Sequence, residues 1–577
     1  MSKQKKNKFN SITFDGFGGV DRKESHSGKL LAKSIVNFRI LKDGSLSKRQ
    51  GFNFVTDFGE DLRALYSATV NGETILFLLL GNTAYTYAVA TKELSPLGEV
   101  GTDNGNACFF HFRERLYLTD SQGIYEYRDG EFSPVSGYVP LVAKDWPNDL
   151  VCDVNEPRNI LNRRARATFL VADPPSPFLC VGEPVESIEA VYVNQAKQKS
   201  ERYSIDQGFN AIVVQGLVTG DRVEVHYTYQ NGYDTLLSRL LSSSYSAIFG
   251  GIGNSRIFLC GNNGSGAVFG SKNVSELDIS RSQKEYPDSN GLYFPIGYEF
   301  DAGNGINSVQ SIIRHGDRLL IFTEGDVWMI SPDEGKNDAS GAVSVNAGLG
   351  CPVFNGAVLT DNDVISIGNG AVWKWTASSG SQGGYVSEKL SAPIEDAVID
   401  GFFKNCGLYY DSARRELWVY GKSSETAWIY GFDSKAWYSF TGISADSMLD
   451  LDGNAAFIKD GKLYVFDDSR STDRNEEGIE TVPQAIYIGN SLDFGSSEYK
   501  NLSSVVFRGD LHYGNIVLIF ESDSGEEVSY TLSDSKNYDH SVFQKRLSSG
   551  RFKYGNLSLI SSSGRGQIIH SLTLSAR

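Results

Sequence analysis

No stretch of this chain approaches the roughly 18 consecutive apolar residues that a membrane-spanning helix requires. The longest apolar run, Thr74-Ile-Leu-Phe-Leu-Leu-Leu80, is the length of a strand. The basic start, Met1-Ser-Lys-Gln-Lys-Lys-Asn-Lys8, is followed by no hydrophobic segment of signal-peptide length, so a protein made and assembled in a cytosol is expected. Cysteines number six, widely scattered with no Cys-x-x-Cys pair, which argues against zinc and redox sites and for buried free thiols. There is no Gly-x-x-x-x-Gly-Lys-Ser/Thr loop and no His-Glu-x-x-His, and the seven histidines offer no pair at metal-ligand spacing. The Gly-rich Phe249-Gly-Gly-Ile-Gly-Asn254 precedes a strand rather than a helix, which suits a turn better than a phosphate cradle. Positive charge is in short supply: the formal net charge is −16, the reverse of a general nucleic-acid binder. Methionine is scarce (3) and no long amphipathic helix is evident.

Glycine (60), tyrosine (29) and phenylalanine (33) are abundant, a balance that suits turn-rich β-structure. One pattern recurs. A run of alternating apolar and polar residues meets a Gly/Asp/Asn turn, and a second alternating run ends on an aromatic. Good copies are Arg115-Leu-Tyr-Leu-Thr-Asp-Ser-Gln-Gly-Ile-Tyr-Glu-Tyr127 and Asp363-Val-Ile-Ser-Ile-Gly-Asn-Gly-Ala-Val-Trp-Lys-Trp375. Period-2 alternation places every second side chain on one face, so each copy reads as a β-hairpin with a face to bury. A hairpin cannot bury that face alone, and a regular series implies blades. Units fall near positions 72, 115, 255, 317, 363, 415 and 461, at the spacing of propeller blades except for one long gap.

The expected fold is all-β: a β-propeller of about six to eight blades with an inserted small β-domain and a C-terminal β-sandwich. Residues 1–52 form an N-terminal arm and first strands, 53–137 the first blades, and 138–245 the inserted sandwich or barrel. Residues 246–480 carry the remaining blades and 481–577 the closing sandwich. Helix-like spacing over 234–248 suggests how the chain returns from the insert to the propeller.

The opening segments resemble a known family. They are Phe14-Asp-Gly-Phe-Gly-Gly-Val-Asp-Arg22, Ser34-Ile-Val-Asn-Phe-Arg39 and Asp43-Gly-Ser-Leu-Ser-Lys-Arg-Gln-Gly-Phe52. Together they are similar to the start of bacteriophage tail nozzle, tail tubular or head–tail stabilisation proteins, with Gln50 where that pattern usually has proline. Val191-Tyr-Val-Asn194, Asp221-Arg-Val-Glu-Val-His-Tyr227 and the terminal Ile569-His-Ser-Leu-Thr-Leu574 extend the likeness to the middle and end of the chain. The resemblance implies a non-enzymatic virion protein, a hexameric ring below the portal and adaptor proteins that retains DNA, conducts it at ejection and docks tail fibres or spikes. No cofactor is implied.

Arg163, Arg164 and Arg166 are the best candidates for contact with DNA or an acidic partner, since guanidinium forks match phosphate and carboxylate. A solvated loop is the competing reading. Lys3, Lys5 and Lys6 belong to an arm that either laces to a neighbouring subunit or is an inert basic tail. Asp361, Asp363, Asp450 and Asp452 sit at turn-like positions, where the side chain bonds its own backbone. The tryptophans at 328, 373, 375, 418, 428 and 437 read as blade core more readily than as a sugar platform. Two rival functions remain: a β-propeller polysaccharide-degrading enzyme and a glycan- or receptor-binding tail module, since propellers host many functions.

Overall fold

The computed structural model describes residues 10–21, 30–59, 61–112, 115–151, 155–230, 232–251, 255–261, 265–272, 291–303, 307–332, 342–353, 355–512, 514–533 and 541–577. Fifty strands run through these residues, with one α-helix, Asp234–Leu241. Seven antiparallel blades form a β-propeller. Five are separate four-stranded sheets, which begin at Leu62, Cys108, Tyr245, Val309 and Ala357. The sixth spans Cys406–Thr441 and the seventh begins at Ser447. The innermost strand of each blade touches that of the next, and Ser447–Leu451 touches Leu62–Val70, so the ring is closed.

Closure depends on sequence-distant pairing. The seventh blade takes three strands from Ser447–Asp467 and its fourth, Gly51–Asp57, from the start of the chain. Phe52 seals that seam, with its ring 5.1 Å from Phe457 and 5.6 Å from Tyr464. Such edge-to-face contacts add about 1 kcal/mol each beyond the area they bury. Between blades lie the cores that the alternating pattern requires. Leu79, Phe109 and Leu118 pack between the first two blades, and Leu76, Ile458 and Leu463 between the seventh and the first. Trp375, Trp418, Trp428 and Trp437 are all buried, so these indoles belong to the core.

The insert is a two-layer sandwich. Its five-stranded sheet has the order Leu141–Pro147, Arg164–Leu170, Arg222–Tyr229, Val185–Val193, Ala196–Lys197. The facing sheet contains Phe178–Cys180, Ala211–Val214 and Tyr203–Asp206. Val191, Val223, Val225 and Tyr227 fill the space between them. The helix Asp234–Leu241 then leads back to the third blade, with Leu240 buried among residues of the second and third blades.

Both ends of the described chain meet in a second sandwich. Asn10–Phe14 pairs with Ile568–Ala576, so the first described strand lies against the last. Leu30–Val36 pairs with Ala485–Gly489 and, at Val36, with Ser439 of the sixth blade. One continuous ten-stranded sheet therefore runs from the propeller into the terminal sandwich. A single apolar core follows it across the junction, including Trp418, Phe440, Tyr487 and Leu559.

Candidate functional site

The basic cluster sits at the neck of the insert, and its charges are matched from within the chain. Arg163 donates to Asp234 at 2.8 Å and to the Gln230 carbonyl at 3.3 Å. Arg164 clasps Glu189 through two bonds of 2.9 Å. Arg166 is fully buried and donates to the Val139 carbonyl at 3.3 Å, beside Tyr138 and Glu156. A buried guanidinium cannot meet DNA, and the two paired ones would first have to give up their carboxylates. The neck is held further by buried Asn159, whose amide donates to the Tyr138 and Leu292 carbonyls while its oxygen accepts from Leu161 and Phe294. Lys3, Lys5 and Lys6 lie outside the described residues.

The opening motif builds a different structure, a weld between propeller and terminal sandwich. All five N–H groups of Arg49 are used. They reach Asn37 Oδ1 (2.9 Å), the Gln50 carbonyl (2.9 Å), the Thr441 carbonyl (3.1 Å) and both oxygens of Asp473 (2.8 and 2.6 Å). Asn37 in turn donates to Thr441 and to the Gln484 carbonyl. Asp43 accepts from the Ser45 amide, and Gly44 turns the chain at φ +86°, a conformation that favours glycine. Arg39 reaches Glu416 (2.5 Å) and Gln50 (2.7 Å), and Tyr438 donates to the same Glu416 at 2.7 Å. Residues from the sixth blade, the seventh blade's extension and the sandwich thus converge on one short segment. Nothing local in the sequence marks Asp473 or Glu416 as its partners.

Ser45 also opens a chain of polar contacts that sequence reading does not reveal. Its Oγ lies 3.0 Å from His570 Nδ1, and His570 Nε2 lies 3.3 Å from Asp510 Oδ2. The residue types are those of a hydrolytic triad. Ser45 is only 2% exposed, so no acyl group can reach its hydroxyl, and the contacts serve to tie the opening turn to the sandwich.

Of the four turn aspartates only Asp450 bonds its own turn, accepting from the Gly453 amide. Asp361 accepts from Tyr410 (2.7 Å) and Arg415 (2.7 Å), Asp363 from Thr376 and Asp452 from Thr74. These donors lie outside the aspartates' own turns, and the blade hairpins and the closed ring bring them alongside. Four thiols are held protonated by burial: Cys108 and Cys351 are each pushed up to about 11, Cys406 to about 12, and Cys260 also upward. Two neighbouring cavities share Ser244 and Tyr245 in their walls. One, of about 710 Å³, is ringed by the innermost strands and carries Arg63, Lys422, Asp446 and Asp460. The other, of about 440 Å³, lies beside it among the second, third and fourth blades. Among the described residues, no helix is long and apolar enough to cross a membrane.

Strand order and ring closure define the chain as a seven-bladed β-propeller with an inserted sandwich and a terminal sandwich formed by both ends. No protein-family model and no curated protein matches the sequence. Among solved structures it is similar to the CNH domain of AfRom2, at 8% identity and a TM-score of 0.36 over 72% of this chain and 99% of that one. The β-propeller domain of Myceliophteria thermophila Cps50 (Swd1) is similar at 7% identity and a TM-score of 0.30, over 72% and 99% of the two chains. A chain of the mitotic checkpoint complex shows 9% identity and a TM-score of 0.34, over 77% and 95%. Likeness this distant says nothing of activity.

Proposed function

We propose that the chain is a structural subunit of a bacteriophage tail, a nozzle or head–tail stabilisation protein that assembles as a ring below the portal and adaptor. The observation that carries this reading is what the family-like opening builds. Asn37, Asp43, Arg49 and Gly51 all lie in the weld that unites the last blades with the terminal sandwich. A conduit that holds packaged DNA under load needs a rigid body with sealed edges, and a closed propeller leaves only short, protected ones. The pairing of Asn10–Phe14 with Ile568–Ala576 adds a second seal.

In this reading the DNA channel lies between copies of the chain. A net charge of −16 suits a wall along which DNA passes without adhering, so acidic side chains should outnumber basic ones there. The ring would form in the host bacterial cytoplasm, travel in the virion, dock fibres or spikes, and meet DNA only in transit.

Mass photometry of the purified chain, alone and with an adaptor ring, followed by electron microscopy, tests this. A ring of about six copies with an open centre is the expected result. A chain that remains monomeric in both conditions overturns the proposal, as does a ring whose lumen is strongly basic.

A further inference from the structure

The smaller cavity has a composition unlike the rest of the surface. About a fifth of the chain is charged, 21%, yet among the described residues no charged side chain lines this space of about 440 Å³. Its wall is made of amides, hydroxyls and backbone from three blades, with Asn106 and Gln122 from the second, Ser244 and Tyr245 from the third, and Gln310 from the fourth. Asn106, Gln122 and Ser244 make no side-chain hydrogen bond to any described residue. Three uncommitted polar groups therefore face one cavity.

The rim is also pre-organised. Arg63, next to the cavity, commits its five N–H groups to the carbonyls of Gly81, Thr102, Asn104, Gly105 and Asp120. Asp120 accepts from the Thr102 amide, and the Ser121 hydroxyl bonds the Asn106 carbonyl. The loop that carries Asn106 is thus pinned from both sides, so binding there would cost little ordering entropy. On the opposite wall the Tyr245 hydroxyl accepts from the Asn355 amide at 3.1 Å, which fixes its ring.

This chemistry selects its ligand. A charged ligand would lose water and find no counter-charge on the lining. An apolar ligand would strand the amides without partners. A neutral molecule dense in hydroxyls satisfies both conditions, because each hydroxyl donates and accepts, as amide pairs do. The volume falls within the usual range for small-molecule sites. We infer that this cavity is a binding site for a neutral saccharide of one or two residues, held by Asn106, Gln122 and Ser244 against the face set by Tyr245.

Saturation-transfer NMR on the full chain, with lactose, maltose and N,N′-diacetylchitobiose as neutral probes and sialyllactose as the charged control, tests the inference. Saturation transfer to at least one neutral disaccharide is expected, at least about tenfold stronger than to sialyllactose. The exposed pair Asn106→Ala and Gln122→Ala should abolish it while leaving the melting temperature unchanged. Gln122→Glu, which adds a charge at the rim, should weaken it in the same way. Absence of transfer to every neutral probe at about 10 mM, or transfer that survives both variants, overturns the assignment. The readout needs only one chain, so it stands or falls separately from ring assembly.

Discussion

Arg49 and Asp473 form a two-bonded ion pair, 2.8 and 2.6 Å, in the interior, with 1% and 10% of their side chains exposed. The pair joins the segment that enters the terminal sandwich to the strand that extends the seventh blade. Removing one partner would leave the other charge buried and unmatched. Asp473→Asn should therefore destabilise the fold by about 3–5 kcal/mol. The double replacement Arg49→Met with Asp473→Leu should recover only the part due to the unmatched charge, since Asn37 and the Gln50 and Thr441 carbonyls lose their donor, and urea denaturation of the three chains is the check.

Gly51 lies where the closing strand passes the turn before Asp473. A Cβ built there would stand 1.9 Å from the Thr472 carbonyl oxygen, backbone that cannot step aside. Gly51→Ala should lower stability by about 2–4 kcal/mol, well beyond a propensity effect. Limited proteolysis of the variant should find cleavage near the closing strand first, because the seventh blade loses its fourth strand.

Lys48 is buried and donates to the Ser563 carbonyl. Burial, with the adjacent Arg49 charge, lowers it to about 8 from an ordinary 10.5, while Asp473 opposes the shift. Between those values the unfolded chain binds the extra proton, so stability rises with pH across the window and the full penalty is felt below about 8. The gain is on the order of 3 kcal/mol. Lys48→Met should flatten the slope between pH 7.5 and 10.5 relative to the parent chain, measured by urea midpoints at each pH.

The buried thiols of Cys260, Cys351 and Cys406 are held upward by burial, and the thiolate is the reacting form. Iodoacetamide at pH 7.5 should leave these three unmodified in the native chain and label them fully in guanidinium. Peptide mass spectrometry reads the difference; rapid native labelling at any of the three would contradict the burial described.

Much of the architecture was written in local pattern. Alternation with a turn every few residues marked seven hairpins, and the structure has seven blades, because a half-buried strand has to alternate wherever it lies. The long gap between the second and third units marked the insert, and the helical spacing over 234–248 is a helix only over Asp234–Leu241, since Tyr245–Phe249 is already the first strand of the third blade. What pairs with what over long distances was not legible. Gly51–Asp57 closes a blade whose other strands lie some four hundred residues later, and strand pairing at that separation leaves no local period. The arginines at 163, 164 and 166 read as a free basic patch until folding brings Asp234, Glu189 and the Val139 carbonyl beside them. The uncharged cavity is likewise a tertiary product. Asn106, Ser244 and Gln310 are unremarkable in sequence and share a wall only because the ring of blades closes. Sequence alone determined which face of each strand must be buried; the closed ring decided which polar groups were left facing one another, since that depends on partners the local pattern never names.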